Sequence, residues 1–285
     1  MIKLVRYQRG HSHPRLGLLM GTEILDLLAA GIERLSPLLN GPSPLAVLQA
    51  LSQQDLPRIP IAEATLLPPV DEQEVWAAGV TYLRSKKARM EESDFSASAY
   101  DRVYEAPRPE LFFKSMPQKV SGHGGPVGIR RDATWNVPEP ELALVFNSRA
   151  EIIGFTAGND MSSRDIEGEN LLYLPQAKTY KHACALGPTL VLGVSEAEVR
   201  QWKIAVSIHR AGVSIFSGET SVGQIKRSFA ELADYLFRSQ EFPKGVVLLT
   251  GTGVVPADDF TLNPGDRVRI EIGEVGVLEN EVVTV

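Results

Sequence analysis

Short apolar runs separated by turn-forming residues fill the chain from Leu111 onward, and this pattern restricts the fold more than any other feature. LFFK, ELALVF, EIIGFTAG, TLVLG, KIAVSIHR, VSIFSG, VVLLTG and DRVRIEIGEVG each read as a strand bounded by Gly, Pro, Asn or Asp. SFAELADYLFR is the exception. Its Phe229, Leu232, Leu236 and Phe237 fall at helical spacing on one face. Repeated short strands imply a closed or folded-over β architecture, a mixed α/β, β-rich class rather than a doubly wound sheet.

The upstream part is organised differently. IKLVRY and RLGLLM read as short strands, and SPLAVLQALSQ has helical spacing of Leu45, Leu48 and Leu51 after a Ser start signal. LPRIPIAEATLLPPV then carries Pro57, Pro60, Pro68 and Pro69. Proline lacks a donor and fixes φ, so regular structure is expected to break here. At 285 residues the chain exceeds the usual single-domain size. The expectation is a small N-terminal domain over 1–70 and a main domain over 71–285 that opens with the buried strand EVWAAGVTY. The charged, weakly apolar run RSKKARMEESDFSASAYDRVYEAPRPE fits a solvated helix pair or a flap equally well.

Composition narrows the function. Net charge is −6 and no basic block stands out, which argues against a nucleic-acid partner. An acidic protein that handles an anionic substrate needs local positive charge from a metal or a few Lys and Arg. No run approaches the roughly 18 apolar residues of a membrane span, and MIKLVRYQRGHSHPR has no apolar signal core. With Cys184 as its one cysteine, the protein is expected to be soluble and cytoplasmic; in KHACALGPTLV that thiol reads as a small core residue rather than a nucleophile. There is no phosphate loop ending in Gly-Lys-Ser/Thr, no HExxH and no Gly-x-Ser-x-Gly. GTGVVP (251–256) reads as a tight turn after a buried strand, and SGHGGPVG (121–128) as a glycine loop around His123. His11 and His13 read as solvated, and His209 as structural.

The chemistry points to three carboxylates. Glu139 and Glu141 alternate with a proline in VPEPELALVF, and Asp160 follows an expected hairpin in GFTAGNDMSSRDIEGEN. In a strand, residues i and i+2 share a face about 6.5 Å apart, close enough for Glu side chains to converge. Three such oxygens on one sheet surface suit a hard divalent cation that keeps positions open for water or substrate.

With these motifs in place, PEPELALVF…GFTAGNDMSSRDIEGEN…QAKTYKHACALGPTLV resembles the fumarylacetoacetate hydrolase family, over residues 70 to 285. The family pattern is Glu-x-Glu on one strand, an Asp heading an NDxSxRD stretch, and a Lys ahead of a Gly-Pro. Glu139, Glu141, Asp160, Arg164 and Lys178 occupy these positions. The resemblance implies a mixed β-roll catalytic domain with a small N-terminal α+β domain, usually a homodimer or higher homo-oligomer. It also implies magnesium, or manganese or calcium, on the three carboxylates. Hydrolases of the family carry a water-activating His and Glu in a GxNYxxHxxE-like segment. Here Ser85 and Ala88 stand in those places, and a serine hydroxyl without a partner base cannot generate hydroxide near neutral pH.

GVTYLRS, RPELFFK and SSRDIEGENLLYLPQAK further resemble the family's sugar-acid branch, which holds 2-keto-3-deoxy-pentonate dehydratases and 2,4-diketo-3-deoxy sugar-acid hydrolases. That likeness implies catalytic roles for Glu110 and Lys178, Lys181 being the competing lysine. The expected reaction is metal-dependent dehydration of a 2-keto-3-deoxy sugar acid, a pentonate, to 2,5-dioxopentanoate, with Lys178 as base and Glu110 as acid. Hydrolysis or decarboxylation of a related 2-keto acid is the alternative. Tyr82, Arg84, Ser85, Lys114, Arg164 and Thr252 are the remaining substrate-contact candidates.

Overall fold

The computed structural model describes residues 1–82 and 102–285; Arg84, Ser85, Ala88 and most of the charged segment that follows them lie outside the described residues. The largest sheet runs, in spatial order, β4 (Arg58–Pro60), β3 (Glu23–Asp26), β2 (Arg15–Met20), β1 (Ile2–Gln8), β13 (Cys184–Leu192), β11 (Ile152–Asp160), β10 (Pro140–Phe146), β16 (Val246–Leu249), β6 (Glu74–Gly79) and β7 (Glu110–Ser115), with β5 (Thr65–Leu67) also paired to β1. A second sheet has the order β15 (Val213–Ser221), β14 (Lys203–Arg210), β17 (Arg267–Ile272), β18 (Gly276–Thr284), β8 (Pro126–Ile129). β9 (Asn136–Val137) and β12 (Ser162–Ser163) form a short separate ladder. Both larger sheets are mixed, because β16 pairs with β6 and β18 with β8 in parallel. The strand-rich mixed architecture expected from the turn-punctuated sequence is the one found.

β10 shows why its sequence is an unbroken apolar run. Leu142, Leu144 and Phe146 point into the core between the two larger sheets. Ala143 and Val145 point the other way, into a core shared with Leu35, Leu39 and Leu48 of the N-terminal helices Leu35–Leu39 and Pro44–Leu51. A strand buried on both faces needs no polar alternation. β14, β17 and β18 bury alternate residues and leave the others to solvent, as a sheet with one wet face does. The helix Phe229–Phe237 closes the inter-sheet core with Phe229, Leu232 and Leu236.

Two expectations give way. The proline-rich stretch 57–69 is not devoid of regular structure: β4 and β5 form there as three-residue strands. β4 is the outermost strand of its sheet, a position that tolerates Pro60 because no inner neighbour requires its missing donor. The glycine loop of SGHGGPVG is likewise shorter than expected, since Pro126–Ile129 pairs with Glu281–Thr284. None of the helices among the described residues is long and apolar enough to cross a membrane.

Phe155 on β11 joins the two layers, with its ring centroid 6.2 Å from Trp202 and 6.1 Å from Phe229. Phe155→Ala is therefore expected to lower the unfolding free energy by about 3–5 kcal/mol. Urea denaturation measures this, and a loss below about 1 kcal/mol would contradict the core assignment.

Candidate active site

Two ladders meet where the carboxylates gather. β10 and β11 form the expected hairpin, with Glu141 opposite Gly158. Glu139 lies just ahead of β10, and its carbonyl accepts from the Asp160 amide at 2.9 Å, extending the ladder by one step. Pro140 takes the first strand position, where a missing N–H is tolerated. Beyond Asp160 the chain turns into β12, which pairs back onto β9 through Ser162–Val137 and Ser163–Asn136. The segments that carry Glu139 and Asp160 are thus pinned on both sides.

The result is one buried cluster. Carboxylate oxygens of Glu139, Glu141 and Asp160 lie within 4.8 Å of one another, and each residue is at most 2% exposed. Lys178 ends the helix Leu174–Lys178. Its ammonium donates to Glu139 Oε2 at 2.8 Å, Asp160 Oδ2 at 3.3 Å and Ser162 Oγ at 2.6 Å. Lys181, the rival lysine, is exposed. Arg164 is buried, and its Nη2 lies 3.0 Å from Glu139 Oε1. Lys114 approaches from β7, with Nζ 2.5 Å from Asp160 Oδ1 and donating to Met161 O at 2.9 Å and Lys178 O at 2.5 Å. Lys114 does not line the cavity, so this side chain lies beneath the site.

The cavity is lined by Ala78, Gly79, Val80, Phe112, Glu139, Glu141, Asp160, Lys178, Gly251 and Thr252. Glu110, the first residue of β7, faces Gly79 across the β6–β7 pair. Its carboxyl occupies the space over that glycine: a Cβ on residue 79 would sit 2.0 Å from Glu110 Oε2. Gly251 has φ +88° and donates its amide to Glu141 Oε2 at 2.6 Å. A side chain there would collide with Thr81 Oγ1 and the Ala78 carbonyl. The turn in GTGVVP therefore belongs to the site, which its glycine spacing alone did not establish. Thr252 lines the cavity, and its hydroxyl bonds the Val254 carbonyl at 3.1 Å. Tyr82 is buried against Gly253.

Burial first, then the charges of Asp160 and Glu139, push the Glu141 carboxyl well above the usual carboxylate range, against the opposing pull of Lys178 and the Gly251 amide. Burial, with a smaller push from Glu141, also raises the Tyr82 hydroxyl. Cys184, opposite Asp160 in the β11–β13 ladder, is pushed up to about 12 by burial. It is a core thiol, as its apolar context suggested. Sequence reasoning missed Ser162, Phe112, Gly79 and Gly251. Ser162 had a signal, being two residues beyond Asp160; the others meet the site only through pairing of distant strands.

The cluster suits a hard divalent cation: it is all oxygen, anionic and shielded, with no His or Cys among its members. It is the one such acidic or metal-ligating group among the described residues. Glu139, Glu141 and Asp160 would hold the ion.

Comparison with known proteins agrees with this geometry. The model of the fumarylacetoacetate (FAA) hydrolase C-terminal family matches residues 74–283. A probable 2-keto-3-deoxyxylonate dehydratase of Haloferax volcanii is 46% identical over 217 residues, which is 76% of this chain and 74% of the relative. The 2-dehydro-3-deoxy-D-arabinonate dehydratase of Saccharolobus solfataricus is 38% identical over 221 residues, again 76% and 74% of the two chains. A solved structure of 2-keto-3-deoxy-D-arabinonate dehydratase complexed with magnesium and 2,5-dioxopentanoate matches with a TM-score of 0.81 at 30% identity, covering 99% of each chain. By family model, sequence and fold together, this chain belongs to the fumarylacetoacetate hydrolase family.

Proposed function

We propose that the protein is a magnesium-dependent hydro-lyase that dehydrates a 2-keto-3-deoxy sugar acid, a pentonate, to 2,5-dioxopentanoate. The observation that carries this reading is the Lys178 ammonium in the carboxylate cavity, 2.8 Å from Glu139, with the Glu110 carboxyl over the cavity-lining Gly79. The dehydratase names of the similar relatives support it. When bound, the ion would polarise the keto group of the substrate and make its carbon 3 protons acidic.

Lys178 is the base in this reading. Three carboxylates here are balanced by Lys114, Lys178 and Arg164. A dication beside Lys178 and the shielding of the site would both favour its neutral amine, reached by loss of one proton. Arginine does not release a proton in proteins, and Lys114 lies outside the cavity, so Lys178 is the group placed to give one up. Ser162 holds the amine in position, accepting from Nζ at 2.6 Å and donating to the Asp160 carbonyl at 3.1 Å. The neutral amine then takes a proton from carbon 3. Glu110, as the protonated acid, gives a proton to the departing carbon 4 hydroxyl, which leaves as water with a carbon 3–carbon 4 double bond behind. The Glu110 carboxylate then takes a carbon 5 proton while Lys178 returns its proton to carbon 3, and the resulting enol becomes the aldehyde by losing its hydroxyl proton and gaining one at carbon 4. Phe112, whose ring centroid is 5.8 Å from Lys178 Nζ, forms the apolar wall. Ser85 and Ala88 stand where water-activating hydrolases of the family have His and Glu, and this favours water loss over carbon–carbon hydrolysis. A homo-oligomeric assembly, a reducing cytoplasmic setting and a boundary near residue 70 belong to the same proposal; the family match beginning at residue 74 supports the last.

Incubation with magnesium and 2-keto-3-deoxypentonates, read by mass spectrometry, is expected to give one aldehyde-acid of unchanged carbon count. Two fragments would indicate a hydrolase, and carbon dioxide a decarboxylase. In the same assay Lys178→Met should lower kcat by about 10²–10⁴. Its magnesium affinity should hold or rise, because a competing cation has been removed; turnover near wild type would remove Lys178 from the chemistry.

The raised Glu141 sets the pH dependence. A carboxyl held above its ordinary range keeps its proton further up the pH scale, and a cation must displace that proton to bind. Magnesium affinity should therefore fall as buffer goes from mildly alkaline to mildly acidic, with proton release on binding seen by calorimetry in buffers of different ionisation enthalpy. Affinity independent of pH across that window would contradict the assignment.

A further inference from the structure

The ends of β6 and β7 that face each other in the site are tied to one short run, Ile225–Arg227, just ahead of the helix Phe229–Phe237. On the β6 side, Tyr82 forms a β-bridge with Ile225, and the Lys226 amide donates to the Thr81 carbonyl at 3.0 Å. On the β7 side, Arg227 donates from Nη2 to Val103 O at 3.1 Å and Ala106 O at 2.8 Å, and from Nη1 to Pro107 O at 3.4 Å. Lys226 Nζ adds bonds to Tyr104 O at 2.7 Å and Glu105 Oε2 at 3.0 Å. The run is itself held from behind. Arg200 donates to Ile225 O at 3.1 Å and Arg227 O at 3.0 Å, and Glu231 accepts from Arg227 Nη1 at 2.5 Å.

Arg227 is 6% exposed. Its guanidinium is turned to the Val103, Ala106 and Pro107 carbonyls and to Glu231 rather than to the carboxylate cluster. The three carbonyls it collects belong to residues 103–107, which lead directly into Glu110. The planar guanidinium fork suits that task, because one rigid group can engage several fixed acceptors at once.

We propose that Arg227, assisted by Lys226, is a positioning residue for the dehydration: it fixes the path of residues 103–107 so that the Glu110 carboxyl lies over Gly79. This rests on the reading of Glu110 as the acid. The anchoring of Tyr82 to the same run keeps the two sides of the cavity mouth in register, so a shift of Arg227 moves Glu110 relative to the β6 end that carries Gly79 and Val80.

A double-mutant cycle separates this role from a general effect on folding. Arg227→Lys keeps the charge opposite Glu231 but loses the fork. It should lower kcat about tenfold or more, with KM and magnesium stoichiometry near wild type, and should cost less than about twofold once Glu110→Gln is present. Lys226→Met, at a half-exposed position away from the core, should show the same pattern with a smaller loss, and it carries the test if Arg227→Lys fails to fold. Equal losses with and without Glu110, or full activity in both variants, would overturn the proposal while leaving Glu110 as the acid. Full turnover in Glu110→Gln alone would instead overturn the acid assignment, and the positioning role with it.

Discussion

Mutual repulsion among three buried carboxylates is the constraint that the rest of this structure answers. At separations of no more than 4.8 Å, each pair of full charges costs at least about 3 kcal/mol at an effective dielectric constant of 20. Water cannot relieve that cost, since the three side chains are almost wholly enclosed. Relief comes from Lys114 on β7, Arg164 in the helix Arg164–Glu169 and Lys178 at the end of the helix Leu174–Lys178. The Gly251 amide contributes as well. Elements far apart in the sequence are therefore bound to one spot by charge as much as by apolar packing.

The same arrangement explains how the site can act. Groups that neutralise the carboxylates in the protein alone would be in excess beside a bound dication. Of these, Lys178 lies in the cavity and Lys114 beneath it, and the proposed chemistry uses the first as the base and leaves the second to hold the frame. Lys114 also bonds the carbonyl of Lys178 and reaches Asp160. It links the backbone of Lys178 to the carboxylate of Asp160, and this keeps the two in a constant relation. Arg227 extends the logic outward, to the backbone that delivers Glu110.

The carboxylate cluster was legible in the sequence because it is local. Glu141 and Asp160 sit on adjacent strands of one hairpin and Glu139 just ahead of the first, so the period of a strand and one turn suffice to bring them together. The strands themselves were legible because each is a short apolar run between turn residues. The choice of Lys178 over Lys181 rested on family resemblance, since it depends on which side of a short helix end faces the cavity. Gly79 and Gly251 looked like ordinary turn or strand glycines; their role arises from a carboxyl and a threonine brought close by distant pairings. The Pro-rich stretch hid β4 and β5, because the rule that proline breaks a sheet does not hold at an edge. Arg227 gave no signal, its partners being backbone carbonyls that carry no sequence information.

The central claim is that Glu139, Glu141 and Asp160 together hold one divalent ion. Anomalous diffraction from crystals soaked in manganese and pyruvate tests it most directly. The account predicts a single strong peak per chain among these three side chains. A peak elsewhere, or none with the carboxylates still held by Lys178 and Lys114, would contradict it.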